Sequence, residues 1–242
     1  LAIAVVNPKR ADSDYPLSEL AGVGVAFKLL DALYQSMGRE ELLDEMLDLV
    51  ALGTVADMMP LLGENRYLVK EGLKLLNTAP RPGIREMAAL TGLNPGSLRS
   101  ESISWVLGPR LNAAGRLEHA ISSYKLLLTD SPDEAKELAI WLEEKNAERQ
   151  RLTTRTLTKA REQILAKGVT PLLIASDQDY PAGIIGLVAG KLANEFYRPS
   201  IVIRIGEQFS TASCRSIPEF NIISALSECR SFLSRFGGHS QA

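Results

Sequence analysis

Cysteine is scarce in this chain, with only Cys214 and Cys229 among 242 residues. Two sulfurs so far apart exclude a disulfide framework and a cysteine-rich zinc site, and they fit a reduced, cytoplasmic compartment. Long hydrophobic runs are missing, and no stretch reaches the roughly 18 apolar residues of a membrane helix. No basic and apolar leader follows Leu1, so export is not expected. Excess positive charge is missing as well. The net charge is −2 and the pI about 5.9, which excludes a surface coated in basic residues. A local basic groove stays open, and local charge is what a phosphate backbone feels. A content of 45% hydrophobic and 23% charged residues describes an ordinary globular chain, long enough for one large or two modest domains.

Against this plain background, Asp48 to Leu62 (DLVALGTVADMMPLL) stands out. Asp57 is alone in a run of apolar and small residues, with no further charge until Glu64. An unpaired buried carboxylate is very unfavourable, so such an acid needs a cation or several donors. Two readings fit: a capping or turn aspartate before Pro60, or a metal ligand at the end of a buried strand or helix. Upstream, Leu1–Val6 reads as a buried strand ending at Asn7-Pro8. Ala21–Gly38 reads as a helix with Val25, Leu29, Leu30, Leu33 and Met37 on one face. Its Gly22 and Gly24 hint at a phosphate loop, but Phe27 occupies the third glycine position, and close helix packing accounts for them. Asn65–Asn77 is another amphipathic helix, stopped by Pro80-Arg81-Pro82-Gly83.

Trp105–Ala120 alternates Arg110, Asn112 and Arg116 with small residues, an arrangement that lets a backbone or ligand approach two fork-shaped donors. The same arginines could equally tie loops to helix ends. His119 has no second His or Cys nearby and reads as a packed or half-exposed helix residue. Ser131-Pro132-Asp133-Glu134 opens a helix with a capping box, and nothing breaks it before Gly168. Its ends are apolar and its middle (EEKNAERQR) polar, the pattern of a helix bridging two domains. Lys145–Lys167 carries seven basic and two acidic residues, either a solvated face or the wall of an anionic groove.

The last third alternates strand and helix: Pro171–Ser176, Ile184–Tyr197, Ser200–Ile205. This βαβ unit predicts parallel strands with a right-handed crossover. A further strand, Phe209–Arg215, ends in Arg215-Ser216. A helix over Asn221–Phe236 then runs into Gly237-Gly238-His239, whose backbone N–H groups and imidazole suit a phosphate.

Together these segments resemble the DHH/DHHA1 phosphoesterase family, and within it the exonucleases specific for single strands. GTVADMMPL resembles the family's fourth metal-site motif, which implies that Asp57 is a catalytic metal ligand. GPRLNAAGRL resembles a segment lining the substrate channel, with Arg110, Asn112 and Arg116. YPAGIIGLVAGKLANEFYRPSIVI, RSIPEFNIISAL and RFGGHSQA are similar to successive DHHA1 motifs, which implies that Arg215, Ser216, Gly237, Gly238 and His239 hold a nucleic-acid backbone. Each motif is moderately specific; their order along the chain, with a long helix between, is highly so. The implied fold is α/β: the C-terminal part of a DHH domain over 1–130, a connecting helix over 131–168, and a truncated DHHA1 domain with a mixed sheet over 169–242.

The segments that resemble the family do not include its Asp-x-Asp and Asp-His-His metal motifs. Those motifs supply most ligands for two Mn²⁺ or Mg²⁺ ions, so the sequence is expected to be an internal fragment, inactive by itself, of a metal-dependent enzyme. The resemblance implies 5′-to-3′ hydrolysis of single-stranded DNA in repair and recombination. It also implies a monomer, with single-strand-binding protein and a helicase as partners and no membrane. Two alternatives remain: a family phosphoesterase for oligoribonucleotides or cyclic dinucleotides, and a non-catalytic module that binds single strands.

Overall fold

A computed structural model describes residues 3–39 and 43–242. The chain divides into two compact units. The first comprises residues up to 114 and 119–144, and the second comprises 115–118 and 145–242.

The first unit is helical. It contains α1 (Gly22–Met37), α2 (Leu47–Ala56), α3 (Gly63–Thr78), α4 (Pro82–Leu90), the short α5 (Ser100–Ser102), most of α6 (Gly108–Leu117) and α7 (Ile121–Leu128). A π-helical turn, Ile103–Leu107, joins α5 to α6. The core gathers Leu52, Val55, Leu76, Ile84, Met87 and Leu107, with Leu142 from the start of α8 (Pro132–Lys167). Pro82 starts α4 at a position where its missing N–H costs nothing.

Three expectations change here. Residues 3–6 form no strand, and Ile3, Val5 and Val6 are exposed. A strand needs a neighbour for its N–H and C=O groups, and none of the described residues pairs with them; Leu1 and Ala2 lie outside the described residues. The face of α1 read as core leaves Leu29, Leu33 and Met37 exposed, while Gly24 and Phe27 are the residues that are buried. The buried acid of the central stretch is Asp48, 2% exposed, and Asp57 is exposed. Asp48 has the partner a buried carboxylate requires: Arg81 Nε donates to it at 2.6 Å.

The helix α8 runs for the 36 residues the sequence suggests, about 54 Å at 1.5 Å per residue. Ser131 caps it, its hydroxyl accepting the Glu134 N–H at 3.3 Å. The Glu134 carboxylate does not close the reciprocal box and instead accepts from the Thr129 hydroxyl. Its polar middle is not a uniformly solvated face, since Asn146, Thr153 and Thr156 are buried.

In the second unit, β1 (Leu173–Asp177), β2 (Ser200–Arg204) and β3 (Thr211–Arg215) form a sheet in that order. The pair β1–β2 is parallel, with Leu173 opposite Ser200, and β2–β3 is antiparallel, with Ser200 opposite Arg215. Helix α9 (Ile185–Phe196) supplies the crossover, and Val188 and Leu192 pack with Leu173, Ala175, Val202 and Ile164. The α/β class and mixed sheet expected from the sequence are both present. The first strand is not buried on both faces: Leu173 and Ala175 point inward and Ile174 is 43% exposed. The last helix is also shorter than expected. The helix α10 covers Ile222–Glu228, and a single 3₁₀ turn, Arg230–Phe232, replaces the rest. Ser227, Cys229 and Ser231 are weak helix formers, and Phe232 and Leu233 bury little that would compensate.

Candidate functional site

Asp57 occupies the C-cap of α2, with φ −84° and ψ 4°. The next residues close a left-handed cap. Met58 has φ 54°, its N–H donates to the Val55 carbonyl at 3.1 Å, and the Met59 N–H reaches the Thr54 carbonyl at 3.2 Å. This is the Schellman arrangement, in which glycine normally takes the place held by Met58. An aspartate at a helix C-terminus also opposes the helix dipole, whose negative end it shares. Two adjacent departures from local preference are what a functional position produces.

The same features fit a hard cation. Asp57 offers anionic oxygen at the negative end of α2, and its carboxylate makes no hydrogen bond or ion pair among the described residues. It supplies one ligand only, for no group of three His, Cys, Asp or Glu residues among the described residues could hold a metal ion.

Arg215 lies in the second unit at the end of β3. Its Nη1 donates to the Cys214 carbonyl at 2.6 Å and to the Ser213 hydroxyl at 3.4 Å. Its side chain runs beside Gly186 and Gly190 of α9, where a Cβ would come within 3.6 Å of Nη2 and 3.8 Å of Cγ. Arg116 approaches the same place from the end of α6. A Cβ on Gly183 would lie 1.8 Å from the Arg116 carbonyl oxygen, so only glycine permits this contact. Although Arg116 keeps an exposed side, loss of surrounding water holds its guanidinium below the ordinary value, and the charge of Arg215 pushes the same way. Neither arginine has a carboxylate partner among the described residues. Two like charges placed together without an acid form a receptor for an anion, and guanidinium forks match phosphate oxygens.

Arg215 also lines a cavity of about 770 Å³ together with Gly237, Gly238, His239, Phe209 and Phe236. Four of the residues expected to hold a nucleic-acid backbone therefore share one wall. Phe209 is exposed and Phe236 half-buried, and phenylalanines beside positive charge are the usual means of holding an unpaired strand, by stacking on bases while the cations hold phosphates. The backbone here differs from the expected row of free donors. His239 N–H donates to the Ala242 carbonyl at 2.5 Å, leaving those of Gly237 and Gly238 without a partner among the described residues.

The remaining candidates are placed differently. Ser216 spends its hydroxyl on the Phe220 carbonyl at 2.6 Å. Arg110 is tied to Glu143 and to the Val106 carbonyl at 2.9 Å, the loop- and helix-fastening alternative. Asn112 is exposed on α6. His119 lies between α6 and α7, its Nδ1 accepting the Ile121 N–H at 3.2 Å, so it is not a helix residue. Much of the positive charge expected of α8 is neutralised: Lys145 pairs with Glu118, Lys159 with Asp177, and Arg161 with Glu195. Arg151 and Arg155 remain exposed without an ion pair among the described residues. Sequence reasoning passed over Gly186 and Gly190, whose four-residue spacing in an apolar helix was the available signal, and the Met58 cap, which leaves none.

No family model matches the chain. It is 43% identical over 242 residues to the single-stranded-DNA-specific exonuclease RecJ of Bacillus subtilis, covering 99% of this chain and 30% of that protein. The chain is homologous to a segment of the RecJ exonucleases. The crystal structure of RecJ in complex with Mn²⁺ from Thermus thermophilus superposes with a TM-score of 0.83 at 34% identity, over 94% of this chain and 34% of that one. A structure of exonuclease RecJ bound to manganese gives 0.76 at 32% identity, over 94% of this chain and 57% of that one. The chain thus spans about a third to a little over half the length of these RecJ proteins. No helix among the described residues is long and apolar enough to cross a membrane.

Proposed function

We propose that this chain is part of a metal-dependent exonuclease that hydrolyses phosphodiester bonds of single-stranded DNA from the 5′ end. The observation that carries the reading is the cavity that Arg215 lines with Gly237, Gly238 and His239, near enough to Arg116 for the two charges to repel, with no carboxylate partner for either arginine among the described residues. An anion resolves that repulsion, and phosphates of a single strand provide one at each nucleotide. The cavity beside Arg215, with Phe209 and Phe236, supports an unpaired strand, because stacking needs bases free of a duplex. Asn112 contributes a side chain that can donate or accept at the substrate, and Arg110 braces the helix that carries it.

Asp57 holds a metal ion in this reading. Bound Mn²⁺ or Mg²⁺, as a pair of ions, supplies an activated water and steadies the leaving oxygen. The chain's own contribution is to present the Asp57 carboxylate from a capped helix end and to hold the strand by its phosphates. The further ligands belong to the family's Asp-x-Asp and Asp-His-His motifs. The domain division at 130 and 168 belongs to the same reading, as do a cytoplasmic monomer in DNA repair and recombination and partners that include single-strand-binding protein and a helicase. A non-catalytic binding module is the second reading, favoured by the lack of a three-ligand cluster among the described residues.

The experiment is cleavage by the complete protein of 5′-ended single strands with Mn²⁺ present. Wild type should release mononucleotides, and Asp57→Ala should stop release while sparing strand binding. Salt-sensitive binding without cleavage by wild type would favour the module.

A further inference from the structure

We propose that Asn65 is a positioning residue for Asp57, acting as a buried clamp on the loop that carries the carboxylate; this rests on the metal-ligand reading of Asp57. Asn65 lies in the first turn of α3 and is completely buried. Its Nδ2 uses both hydrogens, donating to the Pro60 carbonyl at 3.1 Å and to the Glu19 carbonyl at 2.7 Å. Pro60 is three residues beyond Asp57, and Glu19 precedes α1. One amide therefore joins the loop after Asp57 to α3 and to the turn before α1.

The loop needs such a clamp. Its cap bonds end at Met59, and Met58 is held in a left-handed conformation that a methionine does not favour. Met58 is 89% exposed, so its side chain contributes little packing. Between that cap and the first residue of α3, Leu61 packs against the core, and the bond from Asn65 to Pro60 ties the loop backbone to the interior. Its amide orientation is set by the two carbonyls, which require the nitrogen to face them.

The cost of the arrangement also points to function. Turning the nitrogen toward both carbonyls leaves Asn65 Oδ1 buried without a partner, and Thr54 Oγ1, in the α2 turn that caps the loop, is buried without one too. Orphaned buried acceptors are rare and unfavourable. A side chain needed only to fill α3's packing surface would be apolar. Residues that orient a metal ligand through the shell behind it commonly set metal affinity, and their loss lowers it by about 10–100-fold.

The test compares Mn²⁺ binding by the complete protein, read from the electron paramagnetic resonance signal of free Mn²⁺, with thermal stability. Asn65→Ala should weaken Mn²⁺ binding by about 10–100-fold. Asn65→Asp, which keeps the volume and removes both donors, should weaken it similarly. Leu76→Ala, in the core on the same helix, controls for lost stability and should bind Mn²⁺ as wild type does. Wild-type affinity in both Asn65 variants, with loss in Asp57→Ala, would overturn the clamp and leave the metal-ligand reading standing. Equal weakening by Leu76→Ala would also overturn it, since any destabilisation would then suffice. Wild-type affinity in Asp57→Ala would remove the metal-ligand reading and the clamp with it.

Discussion

Arg81 closes on Asp48 at 2.6 Å, and this pair holds the buried negative charge of the central stretch. Asp48 is 2% exposed, whereas its partner keeps some contact with solvent. Removing the arginine strands the carboxylate. Arg81→Ala should therefore cost about 3 kcal/mol, near the lower end for breaking a buried pair. The urea midpoint should fall with its slope unchanged. The double change Asp48→Leu with Arg81→Met should recover much of the loss, because an apolar pair leaves no charge behind.

Met58 offers a change in the opposite direction. A left-handed residue with a Cβ costs roughly 1–2 kcal/mol, and glycine avoids most of that while adding entropy to the unfolded chain. Met58→Gly should raise stability by about 0.5–1 kcal/mol by these terms. Calorimetry would show a higher Tm; a lower one would mean that the methionine side chain packs in a way its exposure does not suggest.

Tyr180 should make the second unit sensitive to alkali. Burial, with help from the negative charge of Asp177, pushes its phenol up to about 12. Folding therefore favours the protonated form. At neutral pH both states keep the proton and nothing is lost. As pH rises from about 10, the ordinary tyrosine value, toward about 12, the unfolded state ionises first and stability falls. Tyr180→Phe should remove that loss, and at pH 7 should leave stability equal or higher, since the hydroxyl is buried without a partner. Urea unfolding of both proteins across this range measures it; a parallel decline would assign the sensitivity to other groups.

The parts of the fold legible in the sequence were those in which one local rule acts without competition. A capping serine, a proline at the first helical position and no breaker before Gly168 define α8 from end to end. The βαβ unit follows from apolar strands flanking an apolar helix. Other features depended on neighbours that periodicity does not report. Residues 3–6 have strand composition without a pairing partner among the described residues, and Leu29, Leu33 and Met37 of the apolar row of α1 are exposed. At the site, the types of Arg116, Arg215 and Asp57 could be read, but not their states. Arg110 resembles the other arginines in its local sequence, yet Glu143, 33 residues away, engages it. Ser216 is engaged by the turn it starts. Asp57 sits in an apolar sequence, yet its helix ends one residue earlier and carries it to the surface.

The most direct measurement for the central claim is the salt dependence of binding to a single-stranded oligonucleotide, without added metal. Wild type, Arg116→Ala, Arg215→Ala and the double variant should be compared by fluorescence anisotropy. Each phosphate of a single strand that a substitution leaves unheld should flatten the slope of log K against log salt by about 0.7. The account predicts weaker binding and a flatter slope for each single variant, and a further decrease for the double. Unchanged slopes in all three variants would contradict it, because the two arginines would then hold no phosphate.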